Sequence, residues 1–381
     1  MSSAAPQRFV VLDSFRGLCA VSVVLFHLHL WQSMGEWRFF RSAGLLVAFF
    51  FVLSGFVLAH RYHQQVMNGA GWRDFMISRS CRILPLHLAT LLLISVLMLL
   101  RPLLFDVPLA QLPGLFWHDD LQQQWLYNAL LLQAWWPKAS LFSFNGPAWS
   151  ISVEYYIYVV FGLIVLLARR RSIWAYASMV LLGSLATAWL APKIAHSPGL
   201  RGLICFFLGA AAYSLHLRWR NLSLGKHWMT ALEGATLLAL YWMITLKYPH
   251  KAYWASWGFT AAILVFASER GQISAWLKQK AFLQLGEWSF SIYLIHFVLL
   301  YLLSTLLMHF QPEWFWQVGK VRYIHTGSVL GNNLLLLAIL ALVLGCARAS
   351  YRWIERPGMR LGKRWQQYHA SPKLTLASVR G

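Results

Sequence analysis

The sequence predicts an all-α polytopic integral membrane protein, a bundle of about ten transmembrane helices. Three observations carry this expectation. Hydrophobic residues make up 59% of the 381-residue chain, and its mean hydropathy is +0.52. Only 12% of residues are charged, about half the usual share in a soluble domain. The apolar residues also fall in blocks of roughly 17–25, the length that crosses a bilayer core. A large soluble all-α protein of this composition would have to bury nearly every helix on all sides. The formal net charge of +21 does not point to nucleic acid. The basic residues sit in short loops between apolar blocks, where they set topology.

In chain order, the expected spans are 10–31, 43–60, 84–104, 149–168, 173–191, 200–217, 229–246, 252–268, 288–309 and 330–350. The N-terminus does not read as a signal peptide. Only Arg8 precedes the first block, and no small-residue cleavage pattern ends it. With the N-terminus in the cytoplasm, roughly two-thirds of the 33 Lys and Arg fall on the cytoplasmic side. They include Arg61, Arg79, Arg82, the run Arg169–Arg171, Arg220 and Arg270. This bias, with an even span number, puts both termini in the cytoplasm. The expected organisation is one transmembrane domain over 1–360 and a basic cytoplasmic tail over 361–381. The long loop 105–148 holds Asp106, Asp119 and Asp120, then LYNALLLQAWWP, a piece too short to span. It is read as an interfacial or re-entrant helix with Trp135 and Trp136 at headgroup depth, facing outward, where it can cover or shape an acceptor site. The cysteines Cys19, Cys81, Cys205 and Cys346 are scattered, so neither a disulfide framework nor a metal site is expected.

Polar residues inside spans mark candidate function, because an ionisable group in hydrocarbon is costly and faces a bundle interior or a polar cavity. Arg16 and His27 stand eleven residues apart, which on a helix is about 20° past three turns and roughly 16 Å of rise. Asp13 lies near the same line. Arg16 has two readings: it snorkels to headgroups with Asp13 as partner, or it holds an anionic group. His27 also has two: an interfacial anchor beside Trp31, or a general base. In GPAWSISVEYYIY, Ser150 and Glu154 share a helix face. Glu154 is either a structural hydrogen-bond partner or the group that orients base or acceptor. Arg79 and Arg82 are either ordinary positive-inside charge or an anion clamp for phosphates. Ser289, Tyr293 and His296 form a stripe better suited to packing or acceptor contact than to catalysis. Glu355, between Arg352 and Arg356, is expected to lock a helix end to a cytoplasmic arginine.

Taken together these stretches resemble the membrane-bound acyltransferase-3 family of O-acyltransferases. The resemblance runs in order through LDSFRGLCAVSVVLFH, LLVAFFFVLSGFVL, RSCRILP, WSISVEYYIY, LGEWSFSIYLIH and IERP, and covers nearly the whole chain to about residue 360. One departure is Ser14 and Phe15, where the family usually has a small glycine after the aspartate. The resemblance implies transfer of an acyl group, acetyl first among them, from cytoplasmic acyl-CoA to a glycan or lipid-linked saccharide hydroxyl. It implies His27 as the essential base with Arg16 as its pair, and Arg79 and Arg82 as the cytoplasmic arginine motif. It matches Trp149, Ser150 and Glu154 to the family's Trp-Ser…Glu motif. Acyl-CoA is then a co-substrate, with no permanently bound cofactor and no metal. The expected location is the bacterial inner membrane. Some relatives carry an additional extracytoplasmic esterase-like domain, which is expected here to be a separate protein or absent. Two other readings suit the same residues: a transporter or flippase for a glycan precursor or small solute, and a non-catalytic partner in glycan export.

Overall fold

A computed structural model describes residues 8–62, 67–105, 121–168, 172–189, 197–221 and 224–370. The chain starts with α1 (Val10–His27), then a short α2 (Arg38–Arg41), α3 (Leu46–Tyr62) and α4 (Gly69–Phe105). A surface segment contains α5 (Leu121–Ala129). There follow α6 (Ala148–Ala168), α7 (Ser172–Trp189), α8 (Pro198–Trp219), α9 (Lys226–Thr245) and α10 (Lys251–Phe266). The last part holds α11 (Gln272–Leu277), α12 (Lys280–Phe310), a hairpin, α13 (Val329–Ser350) and α14 (Arg356–Ala370).

A helix occupies each of the ten expected stretches. Among the described residues, seven helical stretches are long and apolar enough to cross a membrane, and α7, α9 and α10 fall short of that measure. The protein is a multi-pass membrane protein, with spanning length shown for seven stretches rather than about ten.

Local chemistry sets several helix ends. Ser197 caps α8 by accepting from the Leu200 N–H, with Pro198 at the first turn. Ser328 caps α13 through the Gly331 N–H. The first expected span is shortened: α1 stops at His27, and Leu28 is extended. Trp31 then donates its N–H to the Ile324 carbonyl at 2.9 Å, and the Ile324 N–H returns to the His29 carbonyl at 2.9 Å. Ile324 belongs to a two-stranded antiparallel hairpin, β1 (Phe315–Val318) and β2 (Val321–Ile324). Gly319 turns it with a φ of +61°. This hairpin is a small addition to the expected all-α fold.

Two close crossings organise the bundle. A Cβ on Gly55 of α3 would collide with the Phe206 carbonyl of α8, and one on Gly209 of α8 with the Val52 carbonyl of α3. Small residues here let backbones touch, as membrane helix packing favours. On the other side α1 runs parallel to α12, where Gly17 meets Leu285 and Gly286 meets Asp13.

The C-terminal region continues as helix beyond the last expected span. The YRWIE segment, Tyr351–Glu355, forms one π-helical turn that joins α13 directly to α14. Residues 361–370, read from sequence as the start of a tail, complete α14, which lies antiparallel along the first half of α4. Gly358 approaches the Cys81 carbonyl beside Pro85, and Gln366 donates to the Asp74 carbonyl at 3.2 Å. Pro85 has no N–H to offer the Cys81 carbonyl one turn back, so α14 covers a weak point in the α4 ladder. The expected run Arg169–Arg171, the loop acids Asp106, Asp119 and Asp120, and residues 371–381 lie outside the described residues.

Candidate active site

The end of α1 carries His27 in the last helical position, where backbone carbonyls have no partner within the helix. Arg41 supplies one. Its guanidinium donates to the Leu25 carbonyl, to the Leu28 carbonyl at 3.2 Å and to the Gly35 carbonyl at 2.9 Å. It also meets the His29 ring at 2.6 Å and the Glu36 carboxylate at 3.5 Å. Burial lowers the Arg41 pKa from its ordinary value, and Glu36 opposes that shift. His29 therefore belongs to a polar knot outside the helix, while His27 faces inward.

His27 lies against His296 of α12. Its Nδ1 is 2.9 Å from the Val23 carbonyl and 3.3 Å from His296 Nε2, while His296 Nδ1 is 3.1 Å from the Ile292 carbonyl. Carbonyls only accept, so each Nδ1 facing one carries the hydrogen. His296 Nε2 is then a lone-pair acceptor, and the His27 Nδ1–H is shared between it and Val23. The lone pair of His27 falls on Nε2. This is the tautomer a base requires, with the second ring nitrogen held by fixed partners.

Glu154 of α6 sits one stage along. It accepts from the Ser54 hydroxyl at 2.6 Å and from the Tyr158 hydroxyl. Ser150 and Tyr293 join their hydroxyls at 2.7 Å, and Tyr293 donates to the Pro147 carbonyl at 3.1 Å. Trp149 packs on Phe51, with ring centres 6.4 Å apart.

Three cavities adjoin through these residues. The first, about 90 Å³, is bounded by Asp13, Arg16, Arg79, Arg82, Glu154 and Tyr158. The second, about 50 Å³, shares Arg16, Ser54 and Glu154 with it and adds Ser150 and Tyr293. The third, about 400 Å³, shares Tyr293 with the second and reaches His27, Trp149, Phe142 and Pro147. Arg16 and His27, eleven residues apart on one unbroken helix, thus line different stages of the same track. Arg79 lies over the rings of Phe75 and Tyr158, each 5.8 Å away. Among the described residues no carboxylate stands within ion-pair distance of Arg79 or Arg82. Arg16 pairs with Asp13 at 3.5 Å, and Asp13 also takes Arg8 at 2.6 Å.

The loop before α6 shapes the widest cavity. The LYNALLLQAWWP piece is helical only to Ala129, and turns follow. Buried Asn128 and Gln124 fold these turns back: Asn128 donates to Ser143 at 2.7 Å, and Gln124 to the Lys138 carbonyl at 3.0 Å. Phe142, Gly146 and Pro147 thereby come to the His27 cavity.

Glu355 stands apart from this track. It is 2% exposed and accepts from Ser291 at 2.7 Å. Among the described residues no arginine comes within ion-pair distance of it, although its charge interacts with that of Arg82. Sequence reasoning passed over Ser54, Tyr158 and Arg41. Ser54 had one signal, a lone hydroxyl in the apolar run FVLSGF, and Tyr158 follows Glu154 by one helical turn. Arg41 had none, because three of its partners are backbone carbonyls. Among the described residues no cluster of metal-ligating side chains occurs.

Comparison with known proteins agrees with this architecture. The Acyl_transf_3 family, described as an acyltransferase domain, matches residues 9–352. Acyltransferase MdmB of Streptomyces mycarofaciens is 27% identical over 394 aligned positions, covering 93% of this chain and 94% of that protein. Protein 2 in the picA locus of Rhizobium radiobacter is 33% identical over 170 positions, covering 42% of this chain and 85% of that protein. No solved structure matches the chain significantly. The family match spans every helix from α1 to α13, and with it Arg79, Arg82, Glu154 and the two histidines, so this chain belongs to the Acyl_transf_3 acyltransferase family.

Proposed function

We propose that the protein transfers an acyl group, acetyl first among candidates, from cytoplasmic acyl-CoA to a hydroxyl of a glycan or lipid-linked saccharide. The observation that carries this reading is the run of adjoining cavities from Arg79 and Arg82 to His27. Ten crossings, with both termini in the cytoplasm of a bacterial inner membrane, put the arginine end inside and the His27 end outside. Arg79 and Arg82 receive phosphates of CoA, with Arg16 assisting deeper in. The cavities at Arg16 and Glu154 are narrow and suit a thin pantetheine arm better than a nucleotide. The 400 Å³ cavity is within the usual size of a small-molecule site and receives the acceptor.

In this mechanism His27 Nε2 removes the proton from the acceptor hydroxyl as its oxygen attacks the thioester carbonyl. The carbon–sulfur bond then breaks, and the CoA thiolate takes the proton from the imidazolium. During that step His27 holds two hydrogens, and its Nδ1–H remains shared between the Val23 carbonyl and His296 Nε2. His296 is therefore a positioning residue. Glu154 fixes Ser54 and Tyr158 at the narrow stage. Trp149 and Tyr293 form the acceptor cavity wall, and Ser150 fixes the Tyr293 hydroxyl. Asp13 restrains Arg16, and Glu355 secures the helix junction through Ser291.

The test uses purified protein in nanodiscs with labelled acetyl-CoA and a glycan extract. Wild type is expected to release CoA and label glycan. His27→Ala is expected to lose on the order of 100-fold or more in rate, the scale of a general base, with its elution profile intact. Arg16→Ala is expected to weaken acyl-CoA use. Wild-type activity retained by His27→Ala would remove the base from the mechanism, and solute uptake without acyl-CoA consumption would favour a transporter.

A further inference from the structure

A roomy cavity lies off the His27 track. It has a volume of about 580 Å³ and lies where the ends of α1, α3, α8, α9 and α10 converge. The proposed reaction leaves it unused. Its two cations are Arg220, just after α8, and Arg270, just after α10, and Arg270 donates to the Arg220 carbonyl at 2.9 Å. Among the described residues no aspartate or glutamate lines it. Glu269, the neighbour of Arg270, is committed elsewhere. It accepts from the Val11 N–H at 3.0 Å and pairs with Lys278 at 2.9 Å.

The rest of the wall is mixed: His60, Tyr213, His216, Asn221 and Ser268 add polar groups to an otherwise apolar surface. Leu217, Met229, Leu232, Leu264 and Phe9 supply much of the apolar part. Leu224, Leu232 and Trp219 at the mouth are exposed by 52%, 40% and 52%. Trp228 on the adjacent first turn of α9 is exposed by 75%. Exposed leucines with tryptophans at helix ends are what a bilayer boundary covers, since Trp concentrates at the headgroup level. The cavity thus opens where lipid, not bulk water, meets the protein. Basic pockets between transmembrane helices are suited to anionic headgroups.

We propose that this cavity binds an anionic phospholipid. Arg220 and Arg270 hold its phosphate and headgroup, and an acyl chain leaves over Leu224 and Leu232. A zwitterionic lipid offers the same chains but carries a cation toward two arginines, and no carboxylate among the described residues of the wall receives it. The site is separate from the transfer track, so this proposal stands or falls independently of the reaction.

The test is thermal unfolding of the full-length protein in detergent, doped with dioleoylphosphatidylglycerol or dioleoylphosphatidylcholine at equal concentration. Native mass spectrometry would count the lipids retained. The glycerol lipid is expected to raise the unfolding midpoint several degrees more than the choline lipid. Arg220→Gln with Arg270→Gln should remove most of that difference. Ala261→Phe, which obstructs the cavity and keeps both charges, should do the same, and it carries the test should the double variant not fold. Equal responses to the two lipids, or a glycerol-lipid response kept by the variants, would overturn the proposal. A response to ADP that these variants lose would also overturn it, by making the site one for a water-soluble phosphate.

Discussion

His27 and His296 form a pair in which each ring is fixed by a carbonyl of its own helix, Val23 for one and Ile292 for the other. The consequence is a defined tautomer with, among the described residues, no carboxylate beside the proposed base. A buried acid would bring a second charge needing compensation in hydrocarbon, and a neutral histidine avoids that. His296→Leu removes the acceptor facing His27 Nδ1 and keeps an apolar side chain of similar bulk. It should lower the turnover number on the order of 10-fold or more, while the acyl-CoA KM stays near wild type. His296→Gln retains an acceptor oxygen and should recover part of the rate. Steady-state kinetics on the three proteins decide this; a change confined to KM would place His296 in substrate binding instead. In the sequence, His27 and Arg16 could be paired by helical periodicity because both lie on one helix. The contact with His296 spans 269 positions and has no periodic signal. His296 was accordingly read as packing or acceptor contact, without a link to the base.

At the scale of the element, α1 is a rod fixed at both ends. Glu269 accepts from an N–H of its first turn, at Val11, while Arg41 binds carbonyls on either side of His27. Arg41→Ala frees the Leu28 carbonyl and lets the last turn of α1 fray. The expected result is a fall in turnover of about 10-fold or more, the scale at which small misplacements of a reacting group act, with acetyl-CoA binding unchanged by calorimetry. An equal loss of binding would mean that the whole helix moved rather than its end. The crossing of α3 and α8 is a separate matter of backbone contact. Gly209→Val puts a branched side chain against the Val52 carbonyl and should destabilise by about 1–3 kcal/mol or more, seen as a lowered unfolding midpoint in detergent. A midpoint within experimental error of wild type would show that the helices can separate freely. The long elements were legible because twenty-residue apolar blocks admit few alternatives in a membrane. Helix ends were less so. Trp31 was assigned to the first span, but the strand hydrogen bonds to Ile324 draw residues 29–31 out of the helix. The helical continuation past Ser350 had no apolar signal, because the residues after it are mostly polar and basic.

For the whole molecule, the chain of cavities gives the bundle a direction. Arg79 and Arg82, with no carboxylate within ion-pair distance among the described residues, line one end, and a histidine faces a roomy cavity at the other, with Arg16 and Glu154 at the narrow stage between them. Composition alone indicated a membrane bundle, and the order of motifs indicated which helices carry polar groups. Neither could indicate that Tyr293 borders two of the cavities at once, since that depends on how α12 is seated against α1 and α6. The central claim is that a donor entering at Arg79 and Arg82 is used by His27 at the opposite face. It is tested most directly in sealed proteoliposomes of known protein orientation, with labelled acetyl-CoA supplied on one side only and a glycan acceptor enclosed on the other. Labelled glycan should form when acetyl-CoA meets the arginine end, and not when it meets the His27 end. It should be absent with His27→Ala in either arrangement. Equal labelling from both sides in sealed vesicles, or labelling that persists without His27, would contradict the account.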